Sequence, residues 1–171
     1  MTHEPDLVQE LTSEHVRLHG LLDRVREAAP GSEARGERAD ETVRLLTAHL
    51  DRERRVLGPA ALDWLAADGG VWAERLAAER RETGALLREL ARAAPHEERF
   101  DELLLDLVHA VSAHTRQVDQ LLLPRLQAVC PPDELHRLGT RARALPPVTA
   151  TRVRHVAVLA RVRRLLRRGA G

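Results

Sequence analysis

The sequence predicts an all-α fold: an up-down-up-down four-helix bundle with an additional C-terminal basic amphipathic helix. Three observations predict it. Apolar residues return every three or four positions through four successive segments, each roughly 20 to 30 residues long, as one buried helical face requires. Gly and Pro fall between those segments, so the chain is expected to turn back on itself and not to extend into an intermolecular coiled coil. Leu, Ala, Arg and Glu dominate a chain with no Tyr and one Phe, which leaves little material for a sheet.

The first helix is expected over about residues 5–29, on the stripe Leu7, Leu11, His15, Leu18, Leu22 and Val25. Pro30-Gly31 and the polar stretch through Gly36 break it. A second stripe opens near Asp40 and reads Val43, Leu46, His49, Glu53, Val56 and Ala60, with its end placed near Gly58-Pro59. After Asp68-Gly69-Gly70 comes Trp72, Leu76, Arg80, Thr83, Leu87 and Leu90, stopping before Ala94-Pro95. The fourth stripe is the most regular, from Phe100 through Leu104, Leu107, Val111, His114 and Val118 to Leu121, and it ends near Pro131-Pro132. These four helices assign residues 1–134 to the bundle and 135–171 to an Arg-rich C-terminal segment. Within that segment Val153, Val156, Leu159, Val162 and Leu166 form an apolar stripe ringed by Arg152, Arg154, Arg161, Arg163, Arg164, Arg167 and Arg168.

A length of 171 residues suits one domain with one substantial core. The net charge of +1 hides an asymmetry: residues 1–134 hold all 26 acidic side chains and 17 Arg, whereas 135–171 hold 10 Arg and no acid. The acidic body disfavours nucleic acid, so the basic helix is expected to dock on that body or on a protein partner. Cys130 is the lone cysteine, which excludes a disulfide framework and a Cys-rich zinc module. No apolar run approaches the roughly 18 residues of a transmembrane helix, and the first residues lack a leader pattern, so a cytoplasmic location is expected. Gly-rich phosphate loops and nucleophile elbows are absent too.

Ionisable residues on a core stripe require an explanation, because burying one costs several kcal/mol unless it is paired or bound to a metal. His15, His49, Glu53 and His114 are such residues. His49 and Glu53 stand one turn apart on one helical face, about 6 Å along the axis, and can address one site. Imidazole and carboxylate donors suit iron, manganese or zinc, and bundles build such sites from facing helices. A single core-facing His is more often a hydrogen-bonded structural residue; three of them with a carboxylate bring the two readings to balance. His19, one turn from His15, is either a further ligand or an outer hydrogen-bond partner.

Several local runs converge on one family. His49-Leu-Asp-Arg-Glu53 is followed by Pro59-Ala-Ala-Leu62; His114-Thr-Arg-Gln-Val-Asp is followed by Leu121-Leu-Leu-Pro124-Arg-Leu and later Leu138-Gly139; Glu14-His15 pairs an acid with a His on helix one. In these runs the chain resembles haemerythrin-like HHE proteins across nearly its full length. The resemblance implies an antiparallel bundle around a non-haem di-iron centre, associated with oxygen, nitric oxide or peroxide chemistry and with iron handling. Dioxygen or another small diatomic molecule is the ligand it implies. Two departures reduce that expectation. Where helix three of the family supplies a His, alignment on Leu86-Leu87 places Arg80, and the second carboxylate of the family, four residues after His114, is Val118. Asp119 offers partial compensation, because oxygen-carrying haemerythrins have a similar His-x4-Asp arrangement.

The expectation is therefore at most one ion, held by His15, His49, Glu53 and by His114 or Asp119. Arg80 either repels a second cation and pairs with Glu53 or, with helix three rotated or its side chain reaching the surface, leaves the pocket free. The leading function is a non-catalytic haemerythrin-like domain that binds one iron or a similar ion. Its alternative is a metal-free structural or protein-interaction bundle in which Arg80 replaces the metal. An enzyme ranks last, because the site is short of ligands for an open coordination position.

Overall fold

The computed structural model describes residues 4–146, and every element among them is helical. The expected basic helix over 149–168 lies outside the described residues. Helix α1 spans Leu7–Glu27 and opens on a reciprocal cap: Asp6 accepts from the Gln9 amide at 2.9 Å, and the Gln9 side chain accepts from the Asp6 amide at 3.2 Å. It ends before Pro30, and Gly31 turns the chain at φ 73°, a left-handed conformation that glycine adopts without steric cost.

Helix α2 spans Glu33–Arg52, starting well before the expected Asp40, because Ser32 caps it by accepting from the Arg35 amide at 3.1 Å. Its first turns bury Arg35, Gly36 and Ala39, a face without large apolar residues. Arg35 fills that gap: its guanidinium donates to the Pro95 carbonyl at 3.2 Å and lies 4.9 Å from the centre of the Phe100 ring.

Gly58-Pro59 does not end the second helix. A single π turn over Glu53–Leu57 follows α2, with the Gly58 amide bonded to the Glu53 carbonyl, and the chain runs on as α3, Gly58–Trp64. The wider turn and the start of a new helical run remove the need for an amide hydrogen at Pro59. Ala66, at φ 47°, opens α4, Ala66–Leu90, pressed against α3 so closely that a Cβ on Gly69 would lie 2.4 Å from the Ala61 carbonyl oxygen. The fourth rod repeats the second: α5, Glu98–Gln117, a π turn over Val118–Leu122, then α6, Leu123–Val129, with Pro124 at its start. His49 stands ten residues before Pro59, and His114 ten before Pro124. Helix α7, Pro132–Ala144, packs against α1.

The core divides into two apolar clusters. One joins the second half of α1 (Leu18, Leu22, Val25), the middle of α2 (Val43, Leu46), the end of α4 (Leu87, Leu90) and the first half of α5 (Phe100, Leu107). The other joins the start of α1 (Leu7, Leu11), the second rod beyond its π turn (Val56, Leu57, Ala60), the start of α4 (Trp72, Leu76), the fourth rod beyond its π turn (Leu122, Leu123, Leu126), and α7. Truncating a leucine to alanine in either cluster costs about 2 to 5 kcal/mol. Between the clusters each rod carries polar residues, and there the candidate site forms. No helix among the described residues is long and apolar enough to cross a membrane.

Candidate metal centre

Every rod supplies a side chain to the polar layer. Glu14 and His15 are consecutive on α1, so they diverge by about 100° and reach different neighbours. Glu53 opens the π turn one helical turn after His49, α4 contributes Glu79, and α5 contributes His114. One donor atom from each of His15, His49, Glu53 and His114 lies within 4.8 Å of the others, and all four residues are buried.

The three imidazoles share one arrangement. Each turns Nδ1 outward to a carboxylate: His15 to Asp119 at 2.7 Å, His49 to Glu14 at 3.0 Å, and His114 to Glu79 at 2.8 Å. Carboxylates accept, so Nδ1 carries the hydrogen and donates it. Each turns Nε2 inward toward Glu53 Oε1, at 3.8 Å from His15, 3.4 Å from His49 and 3.0 Å from His114. The rings stand at 76°, 83° and 80° to one another, so their planes cut the centre in three different directions. An outer carboxylate that fixes the ring and its tautomer is the usual companion of a metal-bound His.

Nε2 of His15 and of His49 is buried without a hydrogen-bond partner. An unsatisfied buried polar group costs about 1 to 3 kcal/mol, and here two such groups face one carboxylate oxygen. A cation at their centre would satisfy all three, so the residues present fit a metal ion.

Charge is held tightly in this layer. Burial by itself would lower the His49 pKa, but the Glu53 charge and the hydrogen bond to Glu14 push it up to about 9. Burial likewise opposes the His114 proton, and Glu53 and Glu79 outweigh it, pushing that pKa up to about 10. Burial would raise the Glu53 pKa, yet the charges of His49 and His114 hold it well below the usual carboxylate range. Glu14 is lowered too: against its burial stand His49 and Arg52, and the Arg52 guanidinium touches its carboxylate. A cavity of about 10 Å³, room for about one water, adjoins His49 and His114 between Leu18, Leu46, Val111, Thr83 and Thr115.

Arg80 corrects the expectation placed on it. It is half-buried on α4 and enters no ion pair among the described residues, while Glu53 has His15, His49 and His114 as its partners. Glu79, one residue earlier, is the α4 residue that meets His114, on the ring's outer nitrogen; the stripe Leu76, Glu79, Thr83 fits the helical period as well as one through Arg80, and spacing alone does not separate them. Asp119 stands outside the four-residue group, on the outer nitrogen of His15, with a part-exposed side chain. His19 also lies outside it, its Nε2 2.9 Å from the Thr115 hydroxyl. Val118 is buried among apolar side chains at the start of the fourth rod's π turn, where the second rod has Glu53.

Two comparisons bear on this site. The family described as haemerythrin HHE cation-binding domain matches residues 6–126. The crystal structure of a haemerythrin HHE cation-binding domain-containing protein from Mycobacterium kansasii, an Rv2633c homologue, is similar with a TM-score of 0.70 at 25% identity, over 82% of this chain and 84% of that one. Comparison with curated proteins finds no match. With the family matched from the cap of α1 to the middle of α6, this chain belongs to the haemerythrin HHE cation-binding family.

Proposed function

We propose that the protein binds one metal ion, non-haem iron in the first instance, through His15, His49, His114 and Glu53. The observation that carries this reading is the pair of unpartnered Nε2 atoms of His15 and His49 facing Glu53, with every ring anchored behind by a carboxylate. A single ion is favoured because Val118 offers no donor where the other π turn offers Glu53, and α4 brings Glu79 to His114 and no imidazole to the centre. The alternation of chain ends between the two core clusters supports the up-down-up-down arrangement around it. Bound iron would supply a redox-active centre that accepts a small diatomic ligand. This chain's own residues do the rest: Asp119, Glu14 and Glu79 keep the three Nε2 lone pairs aimed inward, and the two apolar clusters exclude water from above and below.

The test is metal content per chain after growth with added iron, read together with visible absorption, alongside His49→Ala. About one ion in the wild type and essentially none in the variant is expected. Close to two irons with an oxo-bridge band would overturn the single-ion reading. A second reading, a metal-free bundle closed by its own network, draws on the 3.0 Å contact between His114 Nε2 and Glu53. It requires no ion in the wild type and a thermal midpoint unchanged by chelator.

A further inference from the structure

Helix α7 lies beyond the residues that match the family, yet an unbroken line of contacts connects it to the centre. Arg52, one turn after His49, donates through Nε to the Ala142 carbonyl at 3.1 Å. Ala142 sits in the last turn of α7, where its carbonyl also accepts from the Leu145 amide at 3.4 Å and the helix dipole favours a cation. The same guanidinium donates through its other arm to Glu14 Oε1, and Glu14 Oε2 accepts from His49 Nδ1 at 3.0 Å. Helix α7 is itself seated on the element that carries Glu14. A Cβ on Gly139 would lie 2.7 Å from both the Asp6 carbonyl carbon and the Pro5 oxygen, and 2.9 Å from the Leu7 amide.

We propose that Arg52 is a positioning residue that couples the seating of α7 to metal binding at His49. With α7 in place, Arg52 is held between a helix end and Glu14, which leaves Glu14 one orientation toward the His49 ring. When α7 lifts, Arg52 loses the Ala142 carbonyl and turns toward solvent, since its side chain is already partly exposed; Glu14 and the His49 ring then lose their fixed aim. By linkage, the ion tightens α7 by the same factor by which seated α7 tightens the ion. This inference rests on the single-ion reading above.

The test uses the full chain with ferrous ion under anaerobic conditions, in competition with a chelator, together with amide hydrogen exchange of α7. Gly139→Val displaces α7 without touching the polar layer, and Arg52→Ala removes the link while leaving Gly139 in place. Each is expected to weaken ferrous-ion affinity by about 10- to 100-fold. Arg141→Ala, on an exposed position of α7, is expected to leave affinity unchanged. In the wild type the ion should slow exchange in α7, and in Arg52→Ala that slowing should disappear, which a merely structural contact would not produce. Should Gly139→Val fail to fold, Arg52→Ala with the exchange measurement decides alone. Wild-type affinity in Arg52→Ala, or ion-dependent slowing that survives it, overturns the coupling; a wild type that takes up no ion defeats instead the reading on which it rests.

Discussion

Loading the metal-free protein with a divalent ion at pH 7 is predicted to release about two protons per ion, because ring nitrogens must be deprotonated to bind. With His49 pushed up to about 9 and His114 to about 10, both rings carry their proton at pH 7. Affinity should then climb steeply as pH rises above 7, with two protons lost per ion bound, and level off once both rings are deprotonated. The metal-free fold responds in the opposite sense. A His whose pKa is raised on folding adds stability that is fully present below its unfolded value of about 6.5 and is lost as pH rises through 9 to 10. For His49 the loss is on the order of 3 kcal/mol, and the two rings draw on the same Glu53, so their losses do not add in full. Glu53 is depressed and works in the acid range: its contribution is present above about 4.5 and is lost as pH falls through its folded value. Calorimetric titration in buffers of different ionisation enthalpy counts the protons, and thermal midpoints from pH 6.5 to 10 with and without the ion follow the stability. Fewer than one proton released at pH 7, or an affinity flat between pH 7 and 9, would refute the reasoning.

Four further outcomes follow from the contacts and backbone geometry described. Arg80→Ala should retain the ion and shift stability by no more than about 0.5 kcal/mol in chemical denaturation, whereas Glu79→Gln should weaken the ion about tenfold or more by loosening His114. Val118→Glu buries a carboxylate in an apolar cluster and should destabilise the metal-free protein by several kcal/mol, more at high pH than at low; a midpoint unchanged at pH 8 would count against the packing described. Ala66→Gly relieves a left-handed Ala and should raise stability by about 1 kcal/mol, read from the denaturation midpoint at constant slope.

Periodicity made the buried stripes legible, and with them His15, His49, Glu53 and His114, because an ionisable side chain among regularly spaced leucines is conspicuous. The start of α2 escaped that signal: its first turns bury Arg35, Gly36 and Ala39, so nothing large and apolar repeats, and the only local mark was Ser32 as a cap. Gly58-Pro59 looked like a helix end, since a proline inside a helix normally breaks its hydrogen bonding, and only the three-dimensional path reveals the π turn that accommodates it. Glu79 and Arg80 are neighbours on α4 and the period alone could not choose between them. Helix α7 lacked a signal for a different reason: Leu135, Leu138 and Ala142 are too few to make a stripe stand out, and its place depends on the backbone contact at Gly139.

The two π turns give chain length a meaning that side chains do not express. Each holds one residue more than the α-helical turn it replaces and takes that residue up locally, so that its five residues cover about the angle four would cover in an α-helix. Arg54 is exposed in the first turn and Gln120 lies in the second, so substitutions there ought to be tolerated easily. Deleting either should turn the π turn into α-helix and leave Val56, Leu57 and Ala60, or Leu122, Leu123 and Leu126, facing the apolar cluster, whereas inserting a residue into the regular helix beyond it would swing the residues that follow away by about 100°. In this fold the two π turns mark where the chain could lose a residue and keep its core.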